Sequence, residues 1–181
     1  MNKSQIRNKI IKVRNKKFDK NLKIDLDKFI SFLKIKKLNS KNVGGYYPSN
    51  YEIDDLELLV LLKKKNFKVS LPIIKKNNQM NFYNWSINDP LKINKFGIPE
   101  PLGSKIIYPD ILLVPLVAYD GHLNRLGYGG GYYDRYIEKL EKIKKVIKIG
   151  LAFSFQKISS IPINQYDKRL DFIFTEKEIL K

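Results

Sequence analysis

The chain has 181 residues, 35 Lys+Arg against 18 Asp+Glu, a formal net charge of +17, and 43% hydrophobic and 12% aromatic residues, enough to bury a core and to exclude a disordered basic tail. No apolar run approaches the ~20 residues of a membrane span, the opening Met1-Asn2-Lys3-Ser4 is no signal peptide, and the lack of cysteine removes disulfides, thiolate zinc sites and a Cys nucleophile. The expectation is one cytoplasmic α/β domain over residues 1–181, with no membrane partner.

Residues 3–18 predict a basic helix, with Ile6, Ile10, Ile11, Val13 and Phe18 at partly helical spacing. A second helix is expected over 25–38, where Asp25 precedes an apolar stripe of Leu26, Phe29, Ile30 and Leu33. Residues 42–48 (NVGGYYP) read as a short strand ending at a proline. A helix over 54–65 has acids in its first turn and Lys63, Lys64 and Lys65 in its last, which suits the helix dipole. Strands are expected at 67–74 and 80–85, and Pro90, Pro99, Pro101 and Pro109 make 86–110 mostly loop. Residues 111–117 form a nearly continuous apolar strand, of the kind buried on both faces of a parallel sheet. A glycine-rich loop leads into a helix over 132–145, and strands at 146–153 and 171–175 flank a loop through Pro162. Strand and helix alternate after residue 42, which predicts a doubly wound α/β sheet with a helical N-terminal arm.

The charge invites nucleic-acid binding. Yet Lys outnumbers Arg 30 to 5, and Lys, Ile and Asn together supply 70 of the 181 residues, a chain-wide bias that reads as AT-rich coding drift rather than a selected basic surface. Residues 1–41 hold 14 basic and 3 acidic residues, whereas from Pro99 to Asp134 four acids oppose only Lys105 and Arg125. No nucleic-acid partner is expected.

The informative stretch is 112–136, LLVPLVAYDGHLNRLGYGGGYYDRY. A buried strand runs into a loop with Gly127, Gly129, Gly130 and Gly131, then into a helix. Ligands of open α/β sheets sit beyond the carboxyl ends of the strands. Glycines there let backbone N–H groups approach an anion, and the next helix presents its positive end. Arg125 can add a charged fork, and Asp134 is placed to hold Mg²⁺ on the same phosphates. The loop is neither a P-loop nor a Rossmann fingerprint, and a simple tight turn would explain it as well.

RLGYGGGYYDR, preceded by LLVPLVAYD, resembles the signature of the 5-formyltetrahydrofolate cyclo-ligase (5,10-methenyltetrahydrofolate synthetase) family. KSQIR at 3–7, YYPSNYEID at 46–54, FGIPEP at 96–101 and IPINQYDKRLD at 161–171 match in the family's order, so the resemblance spans nearly the whole chain. It implies ATP- and Mg²⁺-dependent conversion of 5-formyltetrahydrofolate to 5,10-methenyltetrahydrofolate. It also implies a three-layer α/β/α fold like that of sugar-phosphate isomerases and CoA transferases (the NagB/RpiA/CoA-transferase-like fold) with a mostly parallel sheet. Lys3, Arg7 and the segment Arg125, Leu126, Gly127, Tyr128, Gly129, Gly130, Gly131, Tyr132 and Tyr133 would hold ATP, with Arg125 and Lys3 catalytic. Tyr47, Glu52 and Tyr128 to Tyr132 would face the folate, and Asp134 and Asp167 would hold the metal. The small-molecule partner would be 5-formyltetrahydrofolate, and the protein a monomer.

Plainer roles compete at each position. Lys3 and Arg7 suit a solvated helix face; Glu52 could introduce the helix near Asp54; Asp167 could cap a turn, with Asp171 a rival for the metal; Tyr132 and Tyr133 could be core. Phe82 and Trp85 read as core, and His122 as a loop residue. Leu123 stands where the family often has glycine, and Tyr128 where some members carry a basic side chain. Two other function classes stand beside this one: a basic nucleic-acid-binding protein, and a phosphotransferase or phosphohydrolase acting on another substrate.

Overall fold

In the computed structural model, which describes residues 1–38, 42–103 and 105–181, each helix start traces to a particular side chain or turn. Helix α1 (Lys3–Lys17) opens on a capping box: Asn2 Oδ1 accepts from the Gln5 N–H at 2.9 Å and the Asn2 N–H donates to Gln5 Oε1 at 2.8 Å. Its buried stripe is Ile6, Ile10 and Arg14, so an arginine occupies the third position of an apolar face. Asp25 caps α2 (Leu26–Ile35) by accepting from the Lys28 N–H at 2.9 Å. There follow β1 (Asn42–Gly44), α3 (Leu56–Lys64), β2 (Lys68–Ile74) and β3 (Met80–Asn84). Short strands β4 (Leu91–Ile93), β5 (Pro99–Pro101) and β6 (Ile106–Ile107) precede β7 (Ile111–Pro115). A two-stranded hairpin, β8 (Ala118–Tyr119) with β9 (Arg125–Leu126), leads to α4 (Tyr132–Glu141). The chain closes with β10 (Ile147–Leu151), a 3₁₀ turn at Ser154–Gln156, β11 (Phe172–Phe174) and β12 (Ile179–Leu180).

The main sheet has eight strands in the order β12-β11-β10-β7-β1-β2-β3-β6. The five strands from β11 to β2 are parallel to one another, while the pairings β12–β11, β3–β2 and β6–β3 toward the edges are antiparallel. The side chains of β7 alternate between two cores. Ile111 and Leu113 pack with Phe29 and Leu33 of α2 and Leu58, Leu59 and Leu62 of α3; Leu112 and Val114 pack with Tyr136, Ile137 and Leu140 of α4. The result is three layers, with α2 and α3 on one face and α4 on the other. Helix α1 lies apart, with Ile6 and Ile10 packed on Val117, Ala118, Leu126 and Ile161.

The structure corrects several boundaries. The sheet is parallel only in its centre, because β2 returns through the hairpin to β3. The stretch 86–110, apart from Ser104, which lies outside the described residues, contains three short strands rather than loop alone. Pro99 and Pro101 are tolerated in β5 because that strand pairs only with β4 in a two-stranded ribbon. Strand β1 ends at Gly44, short of the expected 48, and α4 stops at Glu141 rather than 145. Beyond Glu141 the Ile143 and Lys144 N–H groups both turn back to the Leu140 carbonyl, and Lys144 Nζ pairs with Asp110 at the start of β7.

Leu123 adopts a left-handed backbone (φ 65°), the region glycine prefers, yet its side chain is buried among Tyr119, Tyr136 and Leu170. Packing holds a conformation that an L side chain disfavours. Leu123→Ala keeps the strain and loses the packing, and urea unfolding should show a loss of about 2–4 kcal/mol. Leu123→Gly relieves the strain and should be roughly 1 kcal/mol less destabilised than the alanine variant, reversing the order expected inside a helix.

Candidate functional site

Strand β1 lies between β2 and β7, and the connections leaving β1 and β7 diverge, which opens a crevice at the carboxyl edge of the sheet. A cleft of about 740 Å³ occupies this place. Every residue the sequence singled out for a ligand lines it: Lys3 and Arg7 from α1, Tyr47 and Glu52 from the segment after β1, Arg125 to Asp134 from β9 through the start of α4, and Asp167 from the loop before β11.

The cationic wall is built around the glycine loop. Gly129 (φ 103°) and Gly131 (φ 67°) take backbone conformations unfavourable to other residues, so that the loop turns tightly enough to start α4 at Tyr132. Arg7 Nε donates to the Gly127 carbonyl at 2.8 Å, which fixes α1 across the loop. Arg125 is buried, and its Nη2 donates to Asp134 Oδ1 at 2.6 Å; the Lys168 N–H donates to the same oxygen at 3.1 Å. Lys3 Nζ meets Asp167 Oδ2 at 2.5 Å, and that oxygen also accepts from the Asn164 N–H at 2.7 Å. Leu126 is buried against α1, so it offers the cleft mainly its backbone. Tyr132 reaches outward, its hydroxyl donating to Asn78 Oδ1 at 3.2 Å and its ring edge-on to Phe96 at the tip between β4 and β5.

The opposite wall carries a buried acid. Asn50 (φ 47°) and Tyr51 (φ 59°) both sit in the left-handed region, a tight turn that brings Glu52 back toward β1. Glu52 Oε2 accepts from the Ser49 N–H at 2.8 Å, so Glu52 braces its own loop, while Asp55 occupies the N-cap of α3. Burial pushes the Glu52 carboxyl above the ordinary range, opposed by the Ser49 N–H, the Arg14 charge and hydrogen bonding with Tyr128. Tyr133 is directed inward; its hydroxyl has no protein partner, burial pushes its acidity down, and the Arg125 guanidinium lies 5.9 Å from its ring centre.

Among the described residues no three His, Cys, Asp or Glu gather into a metal cage. Mg²⁺ needs none when phosphates supply part of its octahedron, since one or two carboxylates then suffice. The donor set fits that case. The bonds to Asp134 fall on Oδ1 and those to Asp167 on Oδ2, which leaves the second oxygen of each for a hydrated cation. Asp171 does not line the cleft; its Oδ2 accepts from the Lys148 N–H at 2.7 Å. Phe82 and Trp85 are core, and His122 sits on an exposed turn bonded to Asp120.

Sequence reasoning missed Arg135, which lines the cleft and donates to the Gly130 carbonyl, and Arg14, buried behind Tyr128. A signal for both was present: in a chain with 30 lysines, four of the five arginines stand at or just behind this cleft. Phe96 and Tyr166, exposed aromatics that line the cleft, were missed as well, although both stand inside the matched stretches 96–101 and 161–171.

The model of the 5-formyltetrahydrofolate cyclo-ligase family matches residues 1–176. A 5-formyltetrahydrofolate cyclo-ligase of Haemophilus influenzae is 35% identical over 140 residues, covering 74% of each chain. The solved structure of the Aquifex aeolicus 5,10-methenyltetrahydrofolate synthetase aligns over all of this chain and 93% of its own, with TM-score 0.78 and 32% identity. That of the Mycoplasma pneumoniae 5,10-methenyltetrahydrofolate synthetase aligns over 98% and 100%, with TM-score 0.76 and 26% identity.

Beneath the floor, Asp55 is fully buried; its Oδ2 accepts from the Tyr46 N–H at 3.1 Å, its Oδ1 has no partner, and burial drives its carboxyl well above the usual range. A carboxyl whose folded value is raised binds its proton more tightly when folded, so its stabilising effect is lost as pH rises past the unfolded value of about 4. Asp55→Asn should therefore melt above wild type at pH ~8 in calorimetry, with the gap closing below pH ~4.

Proposed function

The chain belongs to the 5-formyltetrahydrofolate cyclo-ligase family, and from that membership we propose how its cleft converts 5-formyltetrahydrofolate to 5,10-methenyltetrahydrofolate with ATP and Mg²⁺. The observation that carries the reading is the polarity of the cleft. Lys3, Arg7 and Arg125 converge on a loop of backbone N–H groups at one wall, and the buried carboxylate of Glu52 stands at the other.

A formamide oxygen is a poor leaving group and must be activated before N10 of the folate can displace it. Transfer of the γ-phosphoryl group to that oxygen leaves ADP. Attack by N10 then forms the N10–C bond, N10 loses its proton, and the C–O bond breaks with phosphate as leaving group. Phosphoryl transfer of this kind needs positioning and charge rather than a protein nucleophile, which suits a cleft lined by arginine, lysine and tyrosine. Lys3 and Arg125 are the two cations we assign to the transferred group, each already held by a carboxylate and so fixed in direction. Arg7, Leu126, Gly127, Tyr128 and Gly129 to Tyr133 would cradle the nucleotide, mostly through backbone N–H groups at the start of α4. Asp134 and Asp167 would hold Mg²⁺, whose charge would offset that of the phosphates.

Tyr47 and Glu52, with the ring and backbone of Tyr128 to Tyr132, would hold the folate. The three layers and the five-stranded parallel centre favour kinship with the sugar-phosphate isomerase and CoA-transferase folds. A single-chain cleft favours action as a monomer.

The reading is tested by mixing protein, Mg-ATP and 5-formyltetrahydrofolate and following the absorbance of the methenyl product; folded protein that gives no product overturns it. Arg125→Ala and Asp134→Asn should each lower kcat/KM by about 100-fold or more, the scale of a lost transition-state charge contact. Lys64→Ala, on the exposed side of α3, should leave kcat/KM within about twofold, as expected for a solvated lysine. Equal losses at Lys64 and Arg125 would refute the placement.

A further inference from the structure

Arg14 is 1% exposed and lies outside the residues that line the cleft, yet it is the largest fully buried side chain of the protein. Its bonds are few for a guanidinium. Nη1 donates to the Leu116 carbonyl at 3.2 Å, Nη2 donates to the Tyr128 hydroxyl, and Nε has no partner. Among the described residues no salt bridge neutralises it directly. A buried positive charge must nonetheless be compensated, or it costs several kcal/mol. The Arg14 charge acts on Glu52, whose carboxyl is also hydrogen-bonded with the Tyr128 hydroxyl. Arg14 also lies 5.5 Å from the centre of the Tyr128 ring, so that side chain is clasped both at its face and at its hydroxyl.

We propose that Arg14 is a positioning residue for the reaction, acting from the buried face of α1 through the Tyr128 hydroxyl to keep Glu52 an ionised, directed acceptor for the folate. This rests on the functional reading above. The other groups around Glu52 all favour its neutral form or are themselves uncharged. Asp55 at the start of α3 repels its charge, Tyr46 and Tyr133 add buried hydroxyls, and only the Ser49 N–H and hydroxyl assist as donors. Arg14 adds a positive charge that, after the Ser49 N–H, most opposes the effect of burial on Glu52. An ionised carboxylate in a nearly dry wall selects a ligand that presents N–H donors, as the amino-pyrimidinone edge of a pterin does. A neutral Glu52 would offer such an edge a weaker acceptor and a competing donor.

The test compares wild type, Arg14→Met, Arg14→Lys and Tyr128→Phe by KM for each substrate and by kcat/KM for 5-formyltetrahydrofolate between pH ~5 and ~8. Arg14→Met should raise the folate KM about tenfold, leave the ATP KM within about twofold, and move the acid limb of the profile upward by about one pH unit. Tyr128→Phe should shift the limb in the same direction by less, and Arg14→Lys should return it toward wild type. A strut that merely fastens α1 to Leu116 would weaken both substrates alike without moving the limb, and that result overturns the proposal. Should Arg14→Met fail to fold, Tyr128→Phe, which removes one hydroxyl, decides the matter: an unmoved limb refutes the coupling. Wild-type protein without turnover would instead overturn the functional reading beneath it.

Discussion

The cleft depends on a pair of charges that neither partner could bury alone. Arg125, its side chain 5% exposed, meets Asp134 at 2.6 Å, and the two residues bracket the glycine loop, one at the end of a hairpin and the other in the first turn of α4. A guanidinium removed from water needs its anion close. The pair therefore fixes the span of the loop between them, and with it the direction of the loop's N–H groups. The Lys168 N–H on the same carboxylate oxygen ties in the segment that carries Asp167. The glycine loop and a segment 34 residues beyond Asp134 thus share one electrostatic anchor.

Helix α1 completes the wall by polar means more than by packing. Of its seven basic residues, Lys3, Arg7 and Arg14 turn toward the protein, while Lys9, Lys12, Lys16 and Lys17 are exposed. Both arginines of the helix therefore face inward, and only one of its five lysines does. The division follows from chemistry: a planar fork can bond a carbonyl or a phenol while buried, whereas an ammonium is better left in water. The large net charge thus has two origins, one in solvated lysines and one in a few arginines with defined partners.

Much of this was legible in the sequence, and the exceptions have physical reasons. Asp25 as a cap, the alternating buried faces of 111–115 and the glycine loop leading into α4 could be read because periodicity and capping are local. The outermost strands β6 and β12, and β8 and β9 of the separate hairpin, could not, since all four are two-residue strands defined by their partners rather than by any pattern of their own. At the site, Lys3, Arg7, Glu52, Arg125, Asp134 and Asp167 were found through the matched motifs, Glu52 although a role in introducing its own helix competed. Arg14 and Arg135 escaped because one sits in an apolar stripe and the other one residue past Asp134. The glycine expected at 123 is replaced by a leucine that takes glycine's backbone conformation, so the loop's path persists at the cost of strain.

The bonds that seat α1 reach across the chain: 102 residues from Arg14 to Leu116, 120 from Arg7 to Gly127 and 164 from Lys3 to Asp167. During synthesis the helix emerges long before any of its polar partners exist, and loop-closure entropy opposes contacts at such separations until the rest of the domain is in place. The strand pairings of the sheet span shorter separations, although Phe29 and Phe32 of α2 also wait for Phe174 of β11. A chain interrupted before Asp167 would lack β11 and β12 of the sheet as well as the partner of Lys3, so the edge of the sheet and the wall of the cleft are completed together, at the end of synthesis.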